Sequence, residues 1–576
     1  MKRKFLVAAV GLAALAASGL SGAQVIEPCD LGSTGDYMVL PYPKVSSPAT
    51  YEIAPQEFVE LESEYDGARV QMALLRPVVP PGVKVPVIVK AGPYYHNLRT
   101  LDVRACEPFL TENFVPQGYA VAIISVRGTG DAGGCMDMTG PGERSDLNQQ
   151  ITWLGTQPWS TGSVGMIGIS YDGAATWEVA SFGNPYLKTI VPISGVPDLY
   201  ELMYGQGLND WRGPVLLNGI YYAQSIGPFA VGRPPLHTVE VTACPDYAVG
   251  IAASVFSALN GEPDPFGYWE ARRFRDEILE NYRGSVYLVQ GLQDWNVNPS
   301  LQYPWIHELE ARGVTVHHLL GQWGHAQPYS DGGRQDWADV LLGWFDRWVR
   351  GDPEAPLPAK YEIEDADDRW RRAAAWPDGA GQSLWFDPGQ QLSMTPSDAE
   401  ADARVWLDPF HTQGGYATDL PPAPLRDVCL PNLCALFRST PAAADTRYGG
   451  LPEVALQLTP LGPGGQLSVY LYEDDGTELT RLGWAQFDLR FRNGDEPEAV
   501  VAGQPLDVRF TLEPLDAVLH AGSQLVVIVS GGTIGDYLPT VPNYPMTLTL
   551  GAGRSGITLG TNTPEPGDFF NPPRGE

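Results

Sequence analysis

The sequence predicts an α/β protein, a doubly wound and mainly parallel sheet with an inserted helical cap, followed by an all-β domain of jelly-roll type. Three observations predict it. Continuous apolar runs of strand length alternate with stretches of helical spacing through residues 85–320, as expected of strands covered on both faces by crossover helices. An aromatic, proline-rich block over 197–285 interrupts that alternation. Beyond residue 382 the apolar spacing changes to period two between glycine and proline turns, the mark of packed antiparallel sheets.

Residues 1–23 join Lys2, Arg3 and Lys4 to an apolar run over 5–20 and then to Ser21, Gly22 and Ala23. Basic, apolar and small-residue regions in that order predict a secretory signal peptide. Residues 24–196 are the first part of the α/β domain. Alternation over 65–76 suggests an early hairpin, the runs 85–90, 120–126, 164–169 and 189–193 predict strands, and Leu147, Ile151 and Leu154 share one helix face. The block 197–285, with Tyr200, Tyr204, Trp211, Tyr221, Tyr222, Phe229 and Trp269, is placed to cap a cleft. The sheet resumes over 286–352 with runs at 286–290 and 314–320. A closing helix there carries Trp337, Val340, Leu341, Trp344, Phe345 and Trp348 on one stripe, which assigns them to packing. Residues 353–382, rich in proline, alanine and charge, read as a linker, and 383–576 as the β-sandwich.

A chain of 576 residues is too long for one core, and 44% apolar with 10% aromatic residues excludes a disordered chain. The net charge of −31 argues against nucleic acid and against anionic lipid as partners, because both need a basic face. After signal cleavage no membrane partner is expected. Six cysteines in an exported chain can all pair: Cys429 and Cys434 are close enough to staple one loop, Cys106 and Cys135 flank one predicted strand, and Cys29 is left with Cys244. Neither the cysteines nor the eight histidines have zinc spacing. No metal and no cofactor are expected.

The chemistry starts at 164–173, a short strand, a sharp turn with Ser170 at its tip, and a helix opening in small residues. A serine on such a turn is held clear of the sheet, and the N–H of Tyr171 points into the same space. To act as a nucleophile it needs a histidine to take its proton and a carboxylate to orient the histidine. In doubly wound hydrolases these follow in the order acid, then base, on loops after later strands. Asp294 follows the run 286–290 and His325 follows the run 314–320, 31 residues apart, which is one strand–helix–strand step. His317 and His318 lie inside a predicted strand and His307 on a helix; His96 and His237 precede the acid, and His411 and His520 fall in the β region. An oxyanion needs two donors: the N–H of Tyr171 is one, and the hydroxyl of Tyr94, on the turn after the first parallel strand, is the candidate for the other.

Gly168-Ile169-Ser170-Tyr171-Asp172-Gly173, Pro93-Tyr94, Arg127-Gly128-Thr129-Gly130, Gly291-Leu292-Gln293-Asp294-Trp295-Asn296-Val297 and Gly324-His325 together resemble the Xaa-Pro dipeptidyl-peptidase family, whose wider superfamily includes cocaine-esterase-like and α-amino acid ester hydrolases. The resemblance implies the α/β-hydrolase fold, Ser170 as nucleophile, Asp294 as acid, His325 as base, and Tyr94 with Tyr171 as oxyanion hole. It implies release of Xaa-Pro dipeptides through an acyl-enzyme, from a small peptide substrate. An ester or β-lactam acyl hydrolase on the same triad is the first rival, and a catalytically silent secreted binding protein the second. The cap matches the family least, and it selects the substrate. Holding a free α-ammonium needs an anion, for which Glu201 and Asp210 are candidates; Tyr200, Tyr204 and Trp295 could line a proline-sized pocket.

Overall fold

The protein is described from a computed structural model that covers residues 42–573 except 96–97, 100–101, 131, 209–248, 251, 254–255, 258–263, 265, 295, 304, 331, 408–428 and 533–542. The signal region 1–23 and most of the cap therefore lie outside the described residues. No described helix is long and apolar enough to cross a membrane.

Ten strands carry the first sheet: β1 (Glu57–Glu62), β2 (Arg69–Leu75), β3 (Val85–Gly92), β4 (Ala120–Ser125), β5 (Ser160–Ile169), β6 (Leu187–Ile193), β7 (Ser285–Gly291), β8 (Val316–Gly321), β9 (Tyr361–Glu364) and β10 (Trp370–Ala373). Their spatial order is β1-β2-β4-β3-β5-β6-β7-β8-β9-β10, and Phe569–Phe570 adds a short strand beyond β10. The run from β4 to β9 is parallel; β1, β2 and β10 are antiparallel to their neighbours. The early hairpin is β1–β2, its turn over 63–68, so its first strand begins upstream of the alternating stretch. From β3 the chain steps to β4 on one side and then to β5 on the other. That reversal is the switch point outside which open α/β sheets bind ligands.

The strands are buried on both faces, which is why they read as unbroken apolar runs. Val87, Val89, Ala122, Met166 and Leu288 face one layer, made by α2 (Pro141–Thr156), α3 (Tyr171–Ala180), α5 (Arg275–Asn281) and α6 (Trp305–Ala311). Ile88, Val121, Ile167, Val191 and Val289 face the other, made by α1 (Pro108–Phe114) and α7 (Trp337–Phe345). Trp337 and Trp344 are fully buried in that second layer, with Trp348 packed at its margin. Between β6 and β7, where the cap was expected, the described pieces are α4 (Leu199–Tyr204), a 3-10 turn at Gly205–Gly207, another at Glu270–Arg272, and α5.

A second sheet system of twelve strands, from Gly381–Asp387 to Gly556–Thr561, makes up the all-β domain. Leu456, Val469, Val527, Leu548 and Leu559 fill its core.

Residues 353–382, expected as a linker, instead contain β9 and β10, the continuation of the first sheet. Their sequences, Tyr361-Glu362-Ile363-Glu364 and Trp370-Arg371-Arg372-Ala373, look solvated because they are charged. Two of the charges are buried in pairs: Arg334 Nη1 donates to Glu362 at 2.8 Å, and Arg371 donates to both oxygens of Asp516 at 2.8 and 2.5 Å. Asp516 belongs to the all-β domain and also accepts the indole N–H of Trp376 at 2.7 Å. Both members of the Arg371–Asp516 pair are 1% exposed, so removing one leaves a buried charge unpaired. Arg371→Met should lower unfolding free energy by about 3–5 kcal/mol in urea titration; a loss under about 1 kcal/mol would show that the pair carries little of the interdomain contact.

Candidate active site

Ser170 stands between the last residue of β5 and the first of α3, with φ 61° and ψ −125°. Few non-glycine residues occupy that region, and holding one there costs on the order of 1–3 kcal/mol. Hydrogen bonds pin it on both sides: its N–H donates to the Ile193 carbonyl, and its own carbonyl accepts from the Ala174 N–H, both at 2.9 Å. Two glycines make room for the bend. A Cβ on Gly168 would lie 2.4 Å from the Asp172 carbonyl, and one on Gly173 would lie 2.8 Å from the Gly195 Cα. The glycine three places after the serine therefore serves the close approach of α3 to the chain after β6.

The residues after Ser170 anchor the turn from behind. Tyr171 has its hydroxyl fixed, donating to Glu143 Oε2 and accepting the Thr139 N–H, each at 3.0 Å. Its N–H opens α3 at the positive end of the helix dipole. Asp172 is fully buried, accepts the Tyr95 hydroxyl at 2.8 Å, and lies 3.5 Å from Lys90 Nζ, which is closer to Glu107 at 2.8 Å. Burial pushes the Asp172 carboxyl up to about 7, against the pull of Lys90 and Tyr95. Burial also pushes up the carboxyls of Glu143, where Asp137 adds to the rise, and of Glu178, where Glu143 does.

The other two candidates meet directly. Asp294 follows β7 and His325 follows β8, and His325 Nδ1 is hydrogen-bonded to Asp294 Oδ2 at 2.7 Å. Asp294 is 2% exposed and the His325 side chain 5%. The acid is held in place by its own loop: Oδ1 accepts the N–H groups of Asn296 and Val297, both at 2.9 Å. Gln290, at the end of β7, donates to Oδ2 at 3.4 Å and to the Val297 carbonyl at 3.2 Å. A carboxylate so held fixes the imidazole with Nε2 turned away from it, where a serine proton would be taken. Ser170, Asp294 and His325 all lie at carboxyl ends of strands in the run β5-β6-β7-β8. Sequence reasoning passed over Gln290; a lone polar residue inside an otherwise apolar strand was the available signal.

On the far side of the switch point, Tyr94 follows β3 and is 9% exposed. It packs in one cluster with Tyr171, Tyr200, Tyr204 and Trp269, so the structure brings four of the predicted tyrosines together. Glu201, in α4, lies beside them with Asp198, which caps that helix. Arg273 reaches Asp198 at 3.4 Å, Glu201 at 3.6 Å and Asp495 of the all-β domain, with its guanidinium 4.6 Å from the Tyr200 ring. Burial and the neighbouring Asp198 push the Glu201 carboxyl up to about 7. Asp210 and Trp295 lie outside the described residues. Cys429 and Cys434 are bridged, with Cα atoms 5.4 Å apart. Cys106 and Cys135 are each in a disulfide; Cys29 and Cys244 lie outside the described residues. Among the described residues no group of histidine, cysteine and carboxylate side chains could hold a metal ion.

Residues 66–327 match the X-Pro dipeptidyl-peptidase S15 family, and residues 354–564 match the C-terminal non-catalytic domain of X-Pro dipeptidyl-peptidases. The cocaine esterase of Rhodococcus sp. (strain MB1 Bresler) is 33% identical over 430 residues, covering 63% of this chain and 70% of the esterase. The chain belongs to the X-Pro dipeptidyl-peptidase (S15) family. It is thus a serine hydrolase. The Xaa-Pro dipeptidyl-peptidase of Lacticaseibacillus casei (strain BL23) is 21% identical over 87% of this S15 chain and 75% of its own. An α-amino acid ester hydrolase structure superposes with a TM-score of 0.69 at 19% identity, over 91% of this chain and 99% of that one. At that identity the likeness shows the fold, an α/β-hydrolase domain followed by an all-β domain.

The raised carboxyls of Asp172, Glu143 and Glu178 fix the sign of a pH effect. The native protein keeps protons that the unfolded chain has released above the ordinary carboxylate range, so their contribution to stability is lost as pH climbs through about 7. His318, pushed down to about 4 by burial, acts in the opposite sense, but only below the unperturbed histidine value of ~6.5. The denaturation midpoint should therefore fall between about pH 6.5 and 8.5. A midpoint that is level or rising across that window would contradict this assignment of protons.

Proposed function

We propose that the protein is an exported serine hydrolase that releases Xaa-Pro dipeptides from the N-termini of peptides through an acyl-enzyme. The observation that carries this reading is the 2.7 Å contact of His325 Nδ1 with Asp294 Oδ2, at carboxyl ends of strands in the same sheet as the strained Ser170 turn, in a chain of the S15 family. His325 takes the proton of Ser170 as Oγ attacks the carbonyl carbon of the proline. Asp294 holds the imidazole and stabilises the imidazolium. The Tyr171 N–H and the Tyr94 hydroxyl receive the oxyanion. The imidazolium then protonates the leaving amine, and His325 activates the water that frees the dipeptide. The excess of carboxylates around Tyr200 supports binding of the substrate's α-ammonium: Asp198, Glu201, Glu270 and Asp495 all reach Arg273, and Arg275 is the second cation near Asp198 and Glu201. The basic and apolar segments of residues 1–23 and the disulfides support export.

A second reading is hydrolysis of carboxylic or α-amino acid esters on the same triad. Its support is the 33% identity to cocaine esterase. The two readings separate by comparing an Ala-Pro anilide, its N-acetylated form and a simple aryl ester. Preference for the free-amine anilide is expected; turnover of the ester and the acetylated compound, with the free-amine anilide untouched, would move the assignment to an esterase. Ser170→Ala should lower kcat by about 10⁴-fold or more without changing the unfolding midpoint by much. A variant keeping a tenth of wild-type turnover, or a wild-type enzyme that a fluorophosphonate fails to label at Ser170, would end the nucleophile assignment.

A further inference from the structure

One segment of the all-β domain, Glu513 to Asp516, touches both loops that carry the acid and the base. Glu513 lies between strands Leu506–Thr511 and Leu515–Leu519, anchored by its N–H on the Trp484 carbonyl at 2.8 Å. Its carboxylate is buried and accepts two hydrogen bonds from one residue: the Ser300 N–H at 2.8 Å and the Ser300 hydroxyl at 2.6 Å. Ser300 sits in the 3-10 turn Pro299–Leu301, which closes the loop that begins at Asp294. Three residues beyond Glu513, the Asp516 carbonyl accepts from Gln322 Nε2 at 3.0 Å, and Gln322 stands three places before His325. The two loops are also joined to each other, since Gln293 Nε2 donates to Gln322 Oε1 at 3.1 Å.

The segment can serve as a fixed support because its far end is immobilised. The Asp516 carboxylate takes hydrogen bonds from Arg371, Trp376 and Asn562. A small cavity lies beside that contact, lined by Asp294, Pro299, Arg481, Trp484, Glu513 and Pro514. Burial pushes the Glu513 carboxyl up to about 7, and the Asp294 carboxylate adds to the rise, so the Glu513 carboxyl lies within electrostatic reach of Asp294.

We propose that Glu513 is a positioning residue: through Ser300 it holds the acid loop, and with the Asp516 carbonyl on Gln322 it sets the Asp294–His325 geometry from the all-β domain. The proposal rests on the reading of Asp294 as the catalytic acid. It gives the second domain a role in turnover without a side chain on the substrate.

The test compares Glu513→Ala, Glu513→Gln and Ser300→Ala in the full chain, each alone and with Asp294→Ala, using a chromogenic acyl substrate. Loosening a catalytic group by a fraction of a bond length costs up to about 100-fold. Glu513→Ala should therefore lower kcat by about 10–100-fold with KM within about threefold. Glu513→Gln should recover most of that loss, because its amide can still accept the Ser300 N–H while the hydroxyl turns to accept from it. In Asp294→Ala, adding Glu513→Ala should cost nothing further, since residues that act as a unit are not additive. A kcat within about twofold of wild type in Glu513→Ala, or a full multiplicative loss on top of Asp294→Ala, would overturn the positioning role. If Glu513→Ala lacks a cooperative unfolding transition, Ser300→Ala is judged by the same two criteria. Undiminished activity in Asp294→Ala alone would instead remove the acid assignment, and with it the role of Glu513; an inactive Asp294→Ala beside an unaffected Glu513→Ala removes the positioning role alone.

Discussion

The backbone of Ser170 is the constraint around which the molecule is arranged. A φ of 61° with ψ −125° is uphill for any residue with a Cβ, and it persists only where the surroundings leave no alternative. Here they are closed on every side. The Ile193 carbonyl and the Ala174 N–H hold the residue's own polar groups, the missing Cβ atoms of Gly168 and Gly173 admit the helix, and Tyr171 and Asp172 are tied into buried polar clusters behind it. The apolar faces of the sheet could pack without any of this. What they could not do alone is aim a hydroxyl.

The fold was legible in the sequence wherever burial and apolar character coincide. Strands β3 to β8 announced themselves because both faces are covered, and the tryptophan stripe of α7 because its burial is one-sided. Legibility failed at β9 and β10, where Glu362, Glu364 and Arg371 are buried in spite of their charge; pairing across the chain, invisible to periodicity, replaces hydrophobicity there. The site divides in the same way. Ser170, Asp294 and His325 could be ordered by chain logic alone, and the 2.7 Å contact of the last two follows that logic. Gln290 and Glu513 could not be found so, because what makes them relevant is a neighbour 4 residues away in one case and 213 in the other.

The distribution of charge follows a related pattern. The chain carries a net charge of −31, and several of its carboxyls are carried inward, at Asp172, Glu143, Glu178, Glu201 and Glu513. Each lies within one or two contacts of the nucleophile turn, the acid loop or the tyrosine cluster. Burial disfavours their ionised forms, so the protein gives up stability near neutral pH where its chemistry is concentrated. Buried polar groups of this kind restrict the number of ways that a core can pack, and a catalytic constellation needs that restriction more than it needs a few additional kcal/mol.

The short strand Phe569–Phe570 pairs with β10 at the rim of the first sheet. The chain leaves that sheet after Ala373, builds an entire β-domain, and comes back to the rim it left. The two modules are therefore stitched rather than strung in series. Cutting between them would expose an open sheet edge and strand the Arg371–Asp516 pair, so neither half is a clean unit for excision or transplantation. It also defers completion of the first sheet until nearly two hundred residues later in the chain, which sets a long-range closure as a late event in assembly.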